Sequence, residues 1–227
     1  MPLVVCLHGG GWISGDRSMF SEEAEWISAQ GYAAAVIDFR LAPLYPFPAA
    51  VQDSQSFVRF AREHAVELNI VPDKIAAFGN SAGGHLACML GLCSETFSIE
   101  SKTDHMVNAV ISVSALTDMR DPGESQYDIS FSFIEQFLGG PYQGNEEKYA
   151  SASPLAHLKE GACPFCIAHG QLDDVVPPDQ SRLLHDSLIK KGADSRLLEL
   201  PCDGHSFTRE GWDSIRENYI AFLGDVF

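Results

Sequence analysis

No apolar run in the sequence approaches the roughly 20 residues of a membrane-spanning helix, so an integral membrane helix is not expected. Positive charge is scarce. Fifteen Lys and Arg stand against 31 Asp and Glu, a formal net charge of −16 over 227 residues. Nucleic acids are held by Lys and Arg that neutralise phosphates, and anionic membrane surfaces attract basic segments. Neither partner is expected here. Internal repeats, Ser/Gly-rich linkers and abrupt shifts of composition are also missing, which points to a single domain spanning 1–227. The apolar run Leu3–Leu7 has neither a basic flank nor a small-residue cleavage site. It is therefore not read as a signal peptide, and a cytoplasmic location is the expectation. The six cysteines show no paired zinc-ligand spacing. Cys163 and Cys166 have CxxC spacing, but they lead into the apolar run Phe165–His169 and not into a helix start. They read as small buried apolar groups, not as a redox pair.

What is present is an alternation of short apolar runs with longer helical patterns. Leu3–His8, Ala33–Phe39, Lys74–Gly79, Ala109–Ser114, Phe165–His169 and Arg196–Leu200 are nearly continuous in apolar residues, as strands covered on both faces should be. Helical patterns fall near Phe20–Gln30, Ala49–Asn69, Ala82–Cys93, Pro178–Lys191 and Trp212–Leu223. In the second of these, Val51, Phe57, Val58, Ala61, Ala65 and Leu68 share one helical face. The order predicts an α/β fold, a mostly parallel sheet with helices on both faces. The stretch 115–160 is irregular and rich in aromatics. An insertion of that length reads as a lid or binding loop, with plain surface packing as the alternative.

Three segments carry chemistry. Gly79-Asn80-Ser81-Ala82-Gly83 fits G-x-S-x-G between a strand pattern and a helix pattern, where a serine on a sharp turn becomes an exposed nucleophile. His8-Gly9-Gly10-Gly11-Trp12 follows the first strand. Successive glycines let backbone N–H groups face a developing oxyanion, and Gly10 and Gly11 are the expected donors with Ala82. A phosphate cradle would need a following Lys and Ser/Thr, which this loop lacks. Trp12 either lines an acyl pocket or packs. After the fifth and sixth strands come Asp173-Asp174 and Asp203-Gly204-His205. They supply the carboxylate and base that a serine nucleophile needs, in the order serine, acid, histidine. Of the remaining histidines, His8 and His169 end strands, His64, His85 and His185 lie in helical patterns, and His105 and His157 sit in polar connectors. All read as structural or surface residues.

Taken together, HGGGWISGD (His8–Asp16), DFRLAPLYPFPAAVQD (Asp38–Asp53), FGNSAGGHLA (Phe78–Ala87), HGQLDDVVP (His169–Pro177) and DGHSF (Asp203–Phe207) give the chain its family likeness. The sequence resembles α/β-hydrolase esterases, near the bifunctional feruloyl/acetyl-xylan esterase-like group and its hormone-sensitive-lipase-like relatives. The resemblance implies the α/β-hydrolase fold, with Ser81 as nucleophile, Asp173 as acid by family spacing, His205 as base, and the glycines as oxyanion hole. It implies short-chain acyl esters, of acetyl or feruloyl type, as substrates and no cofactor or metal. Relatives usually carry Tyr where Phe39 stands. Kynurenine formamidase-like amide hydrolases share a similar loop and triad. Receptor proteins that bind ligands on this fold lack the histidine that is present here as His205.

Full-length members of these families begin with strands upstream of the one that leads into HGGG, and those N-terminal strands are missing from this sequence. Their absence leaves Ala33–Phe39 as an apolar edge strand, and such edges are normally paired or covered. A homodimer that buries this edge is the expectation, with a chain that is a fragment of a longer product as the alternative. The acid excess also disfavours polyanionic substrates if the charge lies near the site.

Overall fold

The computed structural model describes residues 1–97, 103–120 and 125–227. Six strands form one sheet: β1 (Leu3–Leu7), β2 (Ala33–Ile37), β3 (Ile75–Asn80), β4 (Ala109–Val113), β5 (Phe165–Gly170) and β6 (Ser195–Leu200). Their order is β2-β1-β3-β4-β5-β6, and every neighbouring pair runs parallel. The sheet is therefore wholly parallel where a mostly parallel one was expected. β1, β4 and β5 are buried along their whole length and β3 as far as Gly79, which explains their nearly unbroken apolar sequences.

Helices cover both faces. The α-helices whose two ends both lie among the described residues are α1 (Ser21–Ala29), α2 (Ala49–Glu63), α3 (Ala82–Leu92), α4 (Asp128–Leu138), α5 (Glu146–Ser151), α6 (Asp179–Lys190) and α7 (Arg209–Val226). One core is built from Val5, Leu7 and Ala77 of the sheet with Val58 of α2, Leu86 of α3, Ile134 of α4 and Leu184 of α6. The opposite core joins Val4, Cys6, Phe78 and Ile111 to Ile27 of α1 and to Ile215, Tyr219 and Phe222 of α7. The alternation of Val4 and Cys6 against Leu3, Val5 and Leu7 is the two-residue period of a strand with two covered faces.

Two helix lengths depart from the sequence reading. α2 ends at Glu63, six residues before the expected Asn69, and the chain turns through Asn69 at φ 54°. Leu68, expected on the core face, is exposed there, while Val58, Ala61 and Ala65 are buried as the pattern requires. α7 starts earlier than Trp212, because the Thr208 hydroxyl accepts a hydrogen bond from the Gly211 amide and caps the helix three residues upstream. In the stretch 115–160, α4 and α5 are helical, and residues 121–124 lie outside the described residues. Among the described residues no helix is long and apolar enough to cross a membrane.

β2 lies at one margin of the sheet and is only partly buried over Ala33–Val36. The other margin, β6, carries Arg196 and Glu199, whereas β2 reads Ala-Ala-Ala-Val-Ile with no charge. Charged side chains discourage edge pairing. The homodimer through β2 therefore stands as a proposal: light scattering should give twice the chain mass, and a single-chain mass would overturn it.

α1 and α7 are joined by a buried carboxylate. Glu23 accepts from Trp212 Nε1 at 2.7 Å, from Arg216 Nε at 3.0 Å and Nη2 at 2.8 Å, and from the Tyr219 hydroxyl. Removing Glu23 leaves the Trp212 and Tyr219 donors unpaired and Arg216 with only the more exposed Glu22 and Asp213, at a cost of about 3–5 kcal/mol. Glu23→Ala should lower the unfolding free energy by about that much in urea titrations. A loss under about 1 kcal/mol would show that Arg216 is resolvated without penalty.

Candidate active site

Four of the six strands deliver site residues from their carboxyl ends. These are the glycine loop after β1, Ser81 after β3, Asp173 after β5 and His205 after β6. The chain leaves β1 for β2 on one side and then crosses back from β2 to β3 on the other, so the glycine loop and Ser81 flank the point where strand order reverses. Open α/β sheets bind ligands at such points.

Ser81 sits at φ 56°, ψ −121°, a region that non-glycine residues rarely occupy. The turn is held by the Ser81 amide on the Val113 carbonyl at 2.8 Å and the His85 amide on the Ser81 carbonyl at 3.0 Å. Gly83 explains the motif's last letter. A Cβ there would lie 2.0 Å from the Leu7 carbonyl oxygen, so only glycine lets α3 start this close to β1. The turn places the Ser81 hydroxyl 3.1 Å from His205 Nε2, and His205 Nδ1 lies 2.8 Å from Asp173 Oδ2. A carboxylate can only accept, so Nδ1 carries the proton and Nε2 is left to receive the one on Ser81.

Asp173 is buried. Its Oδ1 accepts from the Val175 and Val176 amides at 2.9 and 2.8 Å. Its Oδ2 meets His205 and, at 3.1 Å, the Nε2 of His169. Burial pushes this carboxyl upward, but hydrogen bonds from His169, His205 and the Val176 amide outweigh it and hold Asp173 well below the usual carboxylate range. Asp174, the other acid of the pair, is exposed. The contact with His169 was not foreseen. A strand-terminal histidine four residues before the acid was the available signal, and sequence alone could not show which way its ring turned.

In the glycine loop, Gly10 stands at φ 105° and Gly11 at φ 61°. The Gly10 carbonyl accepts from the Ile13 and Ser14 amides at 3.1 Å each. Carbonyl and N–H of a trans peptide point in opposite directions, so the Gly11 N–H is turned away from Ser14. Gly10, Gly11 and Ala82 all line the cavity that holds Ser81 and His205. α4 closes over the same loop: a Cβ on Gly11 would lie 2.7 Å from the Phe133 ring. Ile129, Ser130, Phe133 and Ile134 of α4 form one wall.

Trp12 is placed beside the cavity, but its side chain is 1% exposed and committed to packing. The indole stacks on Phe137 at 4.2 Å and donates to His85 Nδ1 at 3.2 Å. The packing expected of Trp12 is seen, and since the residue also lines the cavity its substrate-binding role stands as a proposal. His8 is likewise buried, stacked on Phe39 at 4.3 Å, which gives the position occupied by Tyr in relatives a packing function. Cys163 and Cys166 are free thiols, each pushed up to about 12 by burial, as a non-redox pair should be. Cys93, Glu95 and His157 bring possible metal-ligand atoms within 4.8 Å of one another at the far end of α3 from Ser81. The Cys93 thiol is pushed up to about 11, chiefly by burial.

The BD-FAE family profile matches residues 1–188, most of the chain and all of the site except His205. The chain belongs to the BD-FAE family. Among curated proteins it is similar to two Mycobacterium tuberculosis esterases. The chain is 28% identical to LipC over 213 residues (91% of this chain, 53% of LipC), and 27% identical to LipQ over 237 residues (100% and 56%). It spans about half the length of these curated relatives. Among solved structures, the propionate-bound thermophilic esterase Est2 of Thermogutta terrifontis superposes with a TM-score of 0.84 at 27% identity, covering 99% of this chain and 83% of that one. The fold is that of an α/β-hydrolase.

Burial of His85 makes the stability of the fold depend on pH. It is fully buried, donating from Nε2 to the Ala152 carbonyl at 2.7 Å, and burial lowers it from 6.5 to about 4. A group held neutral in the fold but free to protonate when unfolded stabilises the fold fully above 6.5, and loses that contribution as pH falls towards 4. Urea unfolding of the wild type should lose up to about 3 kcal/mol across that window. His105, also lowered by burial, acts in the same sense. His85→Gln should flatten the slope; an unchanged slope would remove His85 as its source.

Proposed function

We propose that the protein is a serine carboxylesterase that hydrolyses short-chain acyl esters through an acyl-enzyme. The observation that carries this reading is the hydrogen-bonded line Ser81–His205–Asp173, with links of 3.1 and 2.8 Å, opening on a cavity of about 650 Å³. His205 Nε2 takes the Ser81 proton as Oγ attacks the ester carbonyl. Asp173 holds the ring in the reactive tautomer and stabilises its charge, while amides of Gly10, Gly11 and Ala82 receive the oxyanion. His205 then protonates the leaving alcohol, and water repeats the attack with the same base.

The cavity has two unlike sides. Leu116, Phe133, Ile134 and Val175 line the side under α4. Phe207 and Trp212, with Glu22 and Arg216, line the side towards α1 and α7. The leaving alcohol must lie near its proton donor His205, whose neighbours Ser206 and Phe207 belong to the second side. That supports an apolar acyl pocket under α4 and an alcohol subsite with aromatic faces and polar ends. Such a subsite fits the alcohol portion of carbohydrate acetyl esters. The propionate- and butyrate-bound esterase structures support a small acyl group.

Ser81→Ala should abolish p-nitrophenyl acetate hydrolysis and fluorophosphonate labelling with the thermal transition retained. Activity near wild type would reject Ser81 as nucleophile. In a series over p-nitrophenyl acetate, butyrate and octanoate, acetylated xylo-oligosaccharides, methyl ferulate and N-formylkynurenine, kcat/KM should be highest for short acyl esters. Faster turnover of the formamide would turn the assignment to an amide hydrolase.

A further inference from the structure

His169 ends β5 as the penultimate residue of the strand and is 1% exposed. Its ring has three polar neighbours. Nδ1 lies 2.6 Å from the Ser181 hydroxyl of α6, and Nε2 lies 3.1 Å from the Val176 carbonyl and 3.1 Å from Asp173 Oδ2. Both groups facing Nε2 are acceptors only, so Nε2 carries the proton and Nδ1 accepts from Ser181. One neutral tautomer satisfies every partner. A line of hydrogen bonds thus runs Ser181–His169–Asp173–His205–Ser81, from α6 to the reactive hydroxyl.

We propose that His169 is a positioning residue of the triad, whose Nε2–H shares Asp173 Oδ2 with His205 and limits how strongly that oxygen stabilises the protonated base. The Val175 and Val176 amides already anchor Oδ1, so the carboxylate keeps its place without His169. What His169 changes is the charge left on the oxygen that faces His205. A donor on that oxygen disperses its charge, and the imidazolium opposite gains less from it. Withdrawing the donor concentrates the charge on His205, and the base then stays protonated to higher pH.

Among the described residues, the side chains that meet the Asp173 carboxylate are these two histidines. Of the nearby carboxylates, Asp203 is turned to the Thr208 amide at 2.6 Å, and Asp174 is exposed. On α6, Asp179 pairs with Arg182 at 2.8 Å on the solvent side. The charged groups on the cavity wall shared with His205 are Glu22, Glu23 and Arg216, which pair with one another and are the same in every variant, so the direction of the effect is set by His169.

The proposal rests on the ester-hydrolase reading, whose failure would show as an inactive wild type, an outcome distinct from those below. The experiment is the acid limb of kcat/KM for p-nitrophenyl acetate in wild type, His169→Leu, His169→Gln and Ser181→Ala. The downfield His205 Nδ1–H proton resonance is followed over the same pH range. His169→Leu should move the acid limb upward by about half a pH unit, roughly a threefold loss of kcat/KM on that limb, and the proton titration should move with it. Gln presents an amide N–H at the reach of the imidazole Nε2 and should restore the wild-type limb. Ser181→Ala frees the tautomer and should give a smaller upward shift, so it decides the question if His169→Leu does not fold. Limbs that coincide with wild type in Ser181→Ala and in the folded His169 variants overturn the proposal. So does a downward shift, which would mean that His169 only keeps Asp173 in place.

Discussion

The site depends on how closely the start of α3 approaches the end of β1. Ser81 holds a backbone conformation of positive φ, which costs about 1–3 kcal/mol and persists only where its surroundings overdetermine it. Here they do. The Ser81 amide is bound to β4, its carbonyl starts the helix, and the residues two before and two after it are glycines. Either glycine would drive a Cβ to within 2.1 Å of a carbonyl oxygen. The strain is therefore carried by the whole central sheet, and one consequence is a serine that faces both the glycine loop of β1 and the histidine after β6.

The acid end of the triad follows a different logic. Asp173 is buried, and burial alone would neutralise it. Two amides and two imidazoles keep it ionised. Each comes from a different constraint: the amides from the tight turn after the carboxylate, His169 from β5, and His205 from the loop after β6. The charge that the base needs is preserved by donors already in position when the sheet has formed, so no reorganisation is required during reaction.

The two cores meet at the cavity and give it unlike walls. Phe133 and Ile134 arrive from α4, over one face of the sheet, while Phe207 and Trp212 come from the start of α7 over the other. Most of the −16 charge is spread over the surface, yet Glu22 and Glu23 reach the cavity wall, where Arg216 partners both. That local pairing keeps the wall polar without a large net field, and suits an uncharged ester.

Much of this was legible in the residues. Apolar runs separated by helical patterns located all six strands, because strands buried on both faces must be apolar throughout. The G-x-S-x-G, Asp173-Asp174 and Asp-Gly-His segments marked the three side chains that the structure brings into one hydrogen-bonded line. Helix ends were less legible. α2 stops at Glu63 and α7 begins at Arg209 through local turn and cap geometry that hydrophobic periodicity does not encode. Where a side chain points was beyond the sequence altogether. Trp12 reads equally well as a wall or as packing, and only the structure shows its indole stacked on Phe137, bonded to His85 and set along the cavity. His169 reads as an ordinary strand end until β5, α6 and the acid loop are brought together. Residue type and local spacing determined which chemistry this chain can carry. Long-range packing decided which groups share it, since a hydrogen bond between residues far apart in sequence exists only once the sheet has set their strands side by side.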